Sequence, residues 1–137
     1  MTNQPIQPKY TPEEIIAKLQ AHPKFGSQIK PITKHQSAII SSGLEPAVVI
    51  AGAGSGKTET MSNRVLYLVA NGFATPDQIL GLTFTRKAAG ELSVRIRKRL
   101  RQLSQLPEFK HITSTSTAVT TYHSYAGKLL SEHAIRY

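Results

Sequence analysis

At 137 residues the chain is one domain's worth of sequence, long enough to bury a working core and too short for two substantial domains. Lysine and arginine number 17 against 8 acidic residues, and the formal charge of +9 favours an anionic partner, either nucleotide or nucleic acid. The lack of cysteine excludes a disulfide framework and a thiolate metal site; with a polar start at Met1–Pro5 and no apolar run approaching a membrane span, a cytoplasmic, membrane-free protein is the expectation.

Residues 1–10 carry two prolines and little apolar content, so a loose arm is expected there. Thr11-Pro12-Glu13-Glu14 combines an N-cap, a proline at the first helical position and acids in the first turn, and predicts a helix through Ile15, Ile16 and Leu19. His22-Pro23 ends it, and residues 23–31 read as a connecting loop. A second helix starts at Thr33-Lys34-His35-Gln36, carries Ala38, Ile39 and Ile40, and ends at Gly43.

A β-branched run at 47–51 then predicts a strand, which feeds Ala51-Gly52-Ala53-Gly54-Ser55-Gly56-Lys57-Thr58. Glycines at alternate positions let successive N–H groups turn inward toward an anion. The amphipathic stretch that follows would place that anion at a helix N-terminus. This is the pattern of a phosphate-binding loop, in which Lys57 reaches the β/γ-phosphates and Thr58 offers its hydroxyl to Mg²⁺; the two are the candidate catalytic pair. The general form of the motif has Gly where Ala51 stands, and Ala fits wherever φ stays negative. A dinucleotide fingerprint starting at Gly52 fails, because it needs Gly at the position of Lys57.

The helix after the loop is expected from Lys57 to about Asn71, with Met61, Val65, Leu66, Leu68 and Val69 as its buried stripe and Asn71-Gly72 as its stop. Thr75-Pro76-Asp77 reads as a turn and residues 79–84 as a buried strand. A helix from near Arg86 carries Ala88, Leu92, Ile96, Leu100 and Leu103, with Pro107 just past its end. Residues 113–117 form a Ser/Thr linker. A third strand at 118–121 leads into a last helix with Tyr125, Leu129 and Leu130 on its apolar side. Strand, helix, strand, helix, strand, helix is the order of an α/β fold with a parallel sheet and crossover helices. Ligands of such sheets bind off the carboxyl ends of the strands, where the glycine loop, Thr83-Phe84-Thr85 and Thr121-Tyr122-His123 would gather.

These loops together resemble the first motifs of superfamily 1 DNA helicases of the UvrD/Rep/PcrA kind. Ala51 to Thr58 matches the family form A-x-x-G-x-G-K-T, including the alanine. Thr33-Lys34-His35-Gln36 resembles its glutamine motif, Leu82 to Leu92 the motif L-T-F-T-N-K-A-A-x-E-M, and Thr121-Tyr122-His123-Ser124 the motif T-F-H-S. Lys57-Thr58-Glu59-Thr60, Leu68-Val69-Ala70-Asn71-Gly72 and Phe84-Thr85-Arg86-Lys87 look most like actinobacterial helicase–nuclease motor subunits of the AdnB type.

The resemblance implies a RecA-like P-loop fold, incomplete in this chain, with an N-terminal arm and helix over 1–32 and the opening part of an ATP-binding domain over 33–137. It implies ATP with Mg²⁺ on Gln36, Ala51, Gly52, Ala53, Gly54, Ser55, Gly56, Lys57, Thr58, Glu59 and Arg95, and single-stranded DNA on Phe84, Thr85, Arg86, Tyr122 and His123. It further implies 3′-to-5′ movement in DNA repair or recombination, jointly with a second RecA-like domain. The family's carboxylate motif and arginine fingers are expected beyond Tyr137, because no Asp-Glu pair stands at a strand end here. Two positions depart from the pattern: Glu59 stands where many members carry a basic residue, and Arg86 where Asn is usual.

Several residues keep two readings. Thr33-x-x-Gln36 is also a capping box, in which Gln36 serves the backbone and not adenine. Phe84 fits either the core at a strand end or a stacking surface for a base, and His123 either the surface at a helix start or a phosphate or base contact. The run Arg95, Arg97, Lys98, Arg99 and Arg101 is either a solvated helix face or a DNA-tracking stripe, with Arg95 and Arg99 expected on one face and Arg97 and Lys98 off it. Two other classes remain open: a small P-loop kinase, and a nucleic-acid-binding remnant that does not turn over ATP.

Overall fold

A computed structural model describes residues 7–42, 55–115 and 117–134. Helix α1 (Pro12–Gln20) opens with the expected capping box: Thr11 Oγ1 accepts from Glu14 N–H at 3.2 Å and Glu14 Oε1 accepts from Thr11 N–H at 3.3 Å. The arm before it is not loose as far as residue 10. Tyr10 exchanges two hydrogen bonds with the Asn71 side chain, at 2.8 and 3.1 Å, and sets its ring edge-on to Phe109 at 5.2 Å. The loop that follows α1 is likewise part of the core, since Phe25 and Ile29 are buried around a single helical turn at Gly26–Gln28. A Cβ on Gly26 would stand 2.0 Å from the Gln20 carbonyl oxygen, so only glycine lets the loop fold back onto the end of α1.

Helix α2 (Lys34–Ile40) and helix α3 (Ser55–Ala70) come next. Helix α2 stops at Ile40 with Ser41 as its cap, ahead of the expected stop at Gly43, which lies outside the described residues, as does the strand expected at 47–51. Helix α3 begins two residues earlier than Lys57 and ends at Ala70; just beyond it Gly72, at a φ of 73°, lets Phe73 N–H reach back to the Leu68 carbonyl at 2.9 Å.

Strand β1 (Leu80–Thr83), helix α4 (Arg86–Ser104) and strand β2 (Ala118–Thr121) form one strand–helix–strand crossover. The strands pair in parallel, Leu80 with Ala118 through Thr83 with Thr121. Helix α5 (Tyr122–Ala134) leaves β2 without a loop, and Thr121 Oγ1 accepts from Ser124 N–H at 3.1 Å in its first turn. The chain is thus a mixed helix and strand structure with a two-stranded parallel sheet among the described residues, an arrangement compatible with the α/β expectation.

One cluster holds these elements together. Ile15, Ile16 and Leu19 of α1, Ile40 of α2, Leu66 and Val69 of α3, and Leu92, Ile96, Leu100 and Leu103 of α4 are all buried in it. Helix α4 lies along α3 on one side and over both strands on the other, which fixes the strand ends relative to the start of α3. In its first turns Ala89 is buried and Ala88 only partly so. On α5 the expected apolar side is open among the described residues: Leu129 is 38% and Leu130 72% exposed. Among the described residues no helix is long and apolar enough to cross a membrane.

Candidate nucleotide and nucleic-acid site

Ala51, Gly52, Ala53 and Gly54 lie outside the described residues. Ser55, Gly56 and Lys57 form the start of α3, followed by Thr58, whose carbonyl accepts from Ser62 Oγ at 2.8 Å. A helix that begins inside the glycine-rich sequence aims its first free N–H groups at whatever that sequence holds.

Glu59, one residue on, is held by two guanidinium groups from α4. Arg95 Nη1 donates to Oε2, and Arg99 Nη2 donates to Oε1 at 2.9 Å. The side chains of Glu59 and Arg99 are 15% and 9% exposed, and that of Arg95 is 38% exposed. Burial pushes the Glu59 carboxyl up, but the Arg99 charge and hydrogen bonds from both arginines outweigh it and hold the group below the usual carboxylate range. Arg99 also donates to Gln102 Oε1 at 2.9 Å. Two of the residues expected around the nucleotide, Glu59 and Arg95, are therefore bound to each other.

The basic run on α4 divides differently from the expectation. A groove of about 640 Å³ follows one face of the helix past Arg86, Lys87, Gly90, Glu91, Val94, Arg95, Lys98 and Arg99. Lys98 shares this face, because residues three and four apart on a helix are neighbours, while Arg97 and Arg101 are exposed away from it. The groove carries five cations against one carboxylate and joins the first turn of α4 to the Glu59 cluster.

Gln36 is half-buried in the α2 capping box, its Oε1 accepting from Thr33 N–H at 3.0 Å while Thr33 Oγ1 accepts from Gln36 N–H at 3.1 Å. This engages its acceptor oxygen, which keeps a second lone pair, and leaves the amide NH₂ as the group best placed to serve a ligand. The other end of α2 is tied to α3: Arg64 Nη1 donates to the carbonyls of Ile40 and Ser42, both at 2.9 Å, and to that of Ile39 at 3.4 Å. Sequence reasoning passed over Arg64, although an arginine on the loop helix is well suited to capping the carbonyl end of a neighbouring helix.

At the carboxyl ends of the strands, the register Thr83 with Thr121 brings the next residues side by side. Phe84 and Tyr122 have ring centroids 5.0 Å apart at an interplanar angle of 38°. Phe84 is 64% exposed, so the core reading of this residue does not hold among the described residues. Thr85 caps α4, its Oγ1 accepting from Ala88 N–H at 3.0 Å. Arg86 and His123 are exposed at the first turns of α4 and α5. The edge thus offers two adjoining rings, two helix starts, a guanidinium and an imidazole, which together suit a base and its phosphate.

A strand-to-helix edge carrying an exposed Phe84 beside a half-buried Tyr122 thus adjoins, along α4, a groove rich in cations. The chain belongs to the UvrD/REP helicase N-terminal domain family, whose model matches residues 32–137. It is 43% identical over 86 residues to DNA helicase IV of Escherichia coli, covering 61% of this chain and 13% of that protein. It is 38% identical over 101 residues to a probable DNA helicase II homolog of Mycoplasma pneumoniae (74% and 13%), and 37% identical over 87 residues to the ATP-dependent DNA helicase Rep of Buchnera aphidicola (64% and 12%). The chain spans about an eighth of the length of these relatives.

Proposed function

We propose that the chain is the opening part of the first motor domain of an ATP-dependent DNA helicase, a RecA-like P-loop fold that works with a second RecA-like domain in a longer cytoplasmic protein. The motor moves 3′-to-5′ on single-stranded DNA in repair or recombination, and its closer likeness is to the AdnB-type motor subunits. The observation that carries this reading is the strand register, which sets Phe84 beside Tyr122 at the edge that α4 connects to the start of α3.

ATP with Mg²⁺ suits the residues on the α3 side. Lys57 holds the β/γ-phosphates, Thr58 offers a hydroxyl to the metal, Gln36 presents its amide to the base, and Arg95 is paired with Glu59, the residue after Thr58. The bound nucleotide supplies a phosphoanhydride whose cleavage drives the motor. The carboxylate of the neighbouring Glu59 is paired with two arginines of α4, which offset part of its charge. On the strand-end side Phe84 and Tyr122 stack bases, while Arg86 and His123 meet the backbone. Nine residues of α4 separate Arg86 from Arg95, a span of about 14 Å at 1.5 Å per residue. A displacement driven at Arg95, midway along α4, is therefore delivered within a rigid element to its start.

The test is binding of single-stranded DNA and of a non-hydrolysable ATP analogue, each with and without the other. The proposal expects both to bind and each to alter the other's affinity, as linkage requires. A protein that binds nucleotide and ignores DNA would be the kinase-like alternative, and one that binds DNA and ignores nucleotide would be a remnant.

A further inference from the structure

Glu59 is the acid nearest the start of α3, the fifth residue of that helix and just past its first turn. Its carboxylate is turned to α4 and takes two guanidiniums there, so what it competes for with a phosphate at the helix start is a cationic partner. Its two oxygens are used unequally. Oε1 is fixed by Arg99, which is buried to 9% exposure and held a second time by Gln102 Oε1. Oε2 takes Arg95, which is 38% exposed and for which Glu59 is the one acceptor among the described residues. One arm is thus a structural anchor, and the other is an ion pair at the rim of the groove.

We infer that Glu59 is a positioning residue that restrains Arg95 through this exchangeable arm and so limits how tightly the site holds the terminal phosphates of a nucleotide. The inference rests on the reading that Lys57 and the start of α3 bind nucleoside triphosphate. Glu59 follows the proposed metal ligand Thr58 in α3, and Arg95, on its carboxylate at the rim of the groove, is the charge we place between Glu59 and a phosphate at the helix start. When phosphate arrives, Arg95 has two anions to choose between. The more strongly Glu59 competes, the less of the Arg95 charge the nucleotide receives and the faster product leaves. Arg99 does not take part in the exchange, because its burial leaves it no route to another anion without losing both present acceptors.

The experiment is a double-mutant cycle in the full-length protein, read as dissociation constants for fluorescent ADP and for a non-hydrolysable ATP analogue, with kcat and KM measured in parallel. Glu59→Gln keeps an oxygen that accepts from Arg99 but removes the charge that restrains Arg95. It should tighten ADP and the analogue by roughly threefold or more, the size of one partly exposed ion pair, lowering KM and kcat together as release slows. In an Arg95→Gln background the same change should have no effect on either affinity. Arg95→Gln alone, which leaves Glu59 anchored on Arg99, guards against loss of fold and should weaken the analogue. Weaker binding in Glu59→Gln, or an equal effect with and without Arg95, would assign Glu59 a structural role and overturn the inference. A Lys57→Ala control separates the two levels: if wild type and Lys57→Ala bind nucleotide equally, the nucleotide-site reading has failed and this inference with it.

Discussion

At Arg95 and Arg99, in its middle, helix α4 meets α3 through paired charges, Arg99 buried and Arg95 at the rim, whereas at Thr85 and Arg86 its start meets the strand edge with side chains left in solvent. The first region is specified by pairing: a carboxylate between two guanidiniums, one of them doubly held. The second is specified by backbone. Phe84 and Tyr122 adjoin because Thr83 and Thr121 are in register and because each strand passes directly into a capped helix. Buried charge of the first kind fixes geometry strongly, since an unpaired member is costly. Exposed rings of the second kind cost little to leave open and are available to stack on a ligand. Helix α4 carries both kinds of region, paired charge at its middle and open side chains at its start.

The largest effect that breaks this comparison is expected from Lys57→Ala. ATP turnover should fall on the order of 10²- to 10³-fold, while affinity for single-stranded DNA in the absence of nucleotide stays within a few-fold of wild type; phosphate release and DNA anisotropy read the two. Next, Arg99→Met should lower stability by about 3 kcal/mol, because the Glu59 carboxylate then keeps a single partner in a half-buried site, and the shift in urea midpoint measures it. Thr85→Ala removes the α4 cap at the exposed end and should cost only ~1 kcal/mol by the same assay. A Thr85 variant as disruptive as the Arg99 variant would erase the distinction between a region built on buried charge and one built on backbone. Smallest in energy is Arg86→Ala. The slope of log affinity for single-stranded DNA against log salt should shrink by ~0.7, one phosphate contact, and an unchanged slope would remove Arg86 from the DNA track.

Much of the scaffold was legible in the sequence, for physical reasons that act over short distances. The Thr11 to Glu14 and Thr33 to Gln36 boxes, and Gly72 at positive φ, are local signals and mark helix ends where the chain has them. The parallel pairing of residues 80–83 with 118–121 follows from two strands joined by a helix. What was not legible depends on partners far away in the chain. Glu59 lies 36 residues from Arg95 and 40 from Arg99, and nothing in a run of five basic residues says that the fourth is buried. Tyr10 reads as part of a loose arm until Asn71, 61 residues on, supplies both hydrogen bonds. Phe25 and Ile29 read as loop because no period marks them, yet the close approach of Gly26 to Gln20 turns both inward. Of the candidate site, the strand-end loops could be named from sequence, but not the contact between Phe84 and Tyr122, which depends on register.

In the proposed function α4 joins a nucleotide region at Arg95 to a DNA region at its start, and the measurement that addresses this most directly is ATP turnover by the full-length protein as single-stranded DNA is titrated, comparing wild type with Phe84→Ala. Losing one stacked base at ~1–3 kcal/mol should raise the DNA concentration for half-maximal stimulation by roughly 5- to 150-fold while the rate at saturating DNA stays near that of wild type. A Phe84→Ala protein that is stimulated at the wild-type DNA concentration but reaches only a small fraction of the wild-type rate would contradict the account, because the strand-end rings would then serve the chemistry and not the grip on DNA.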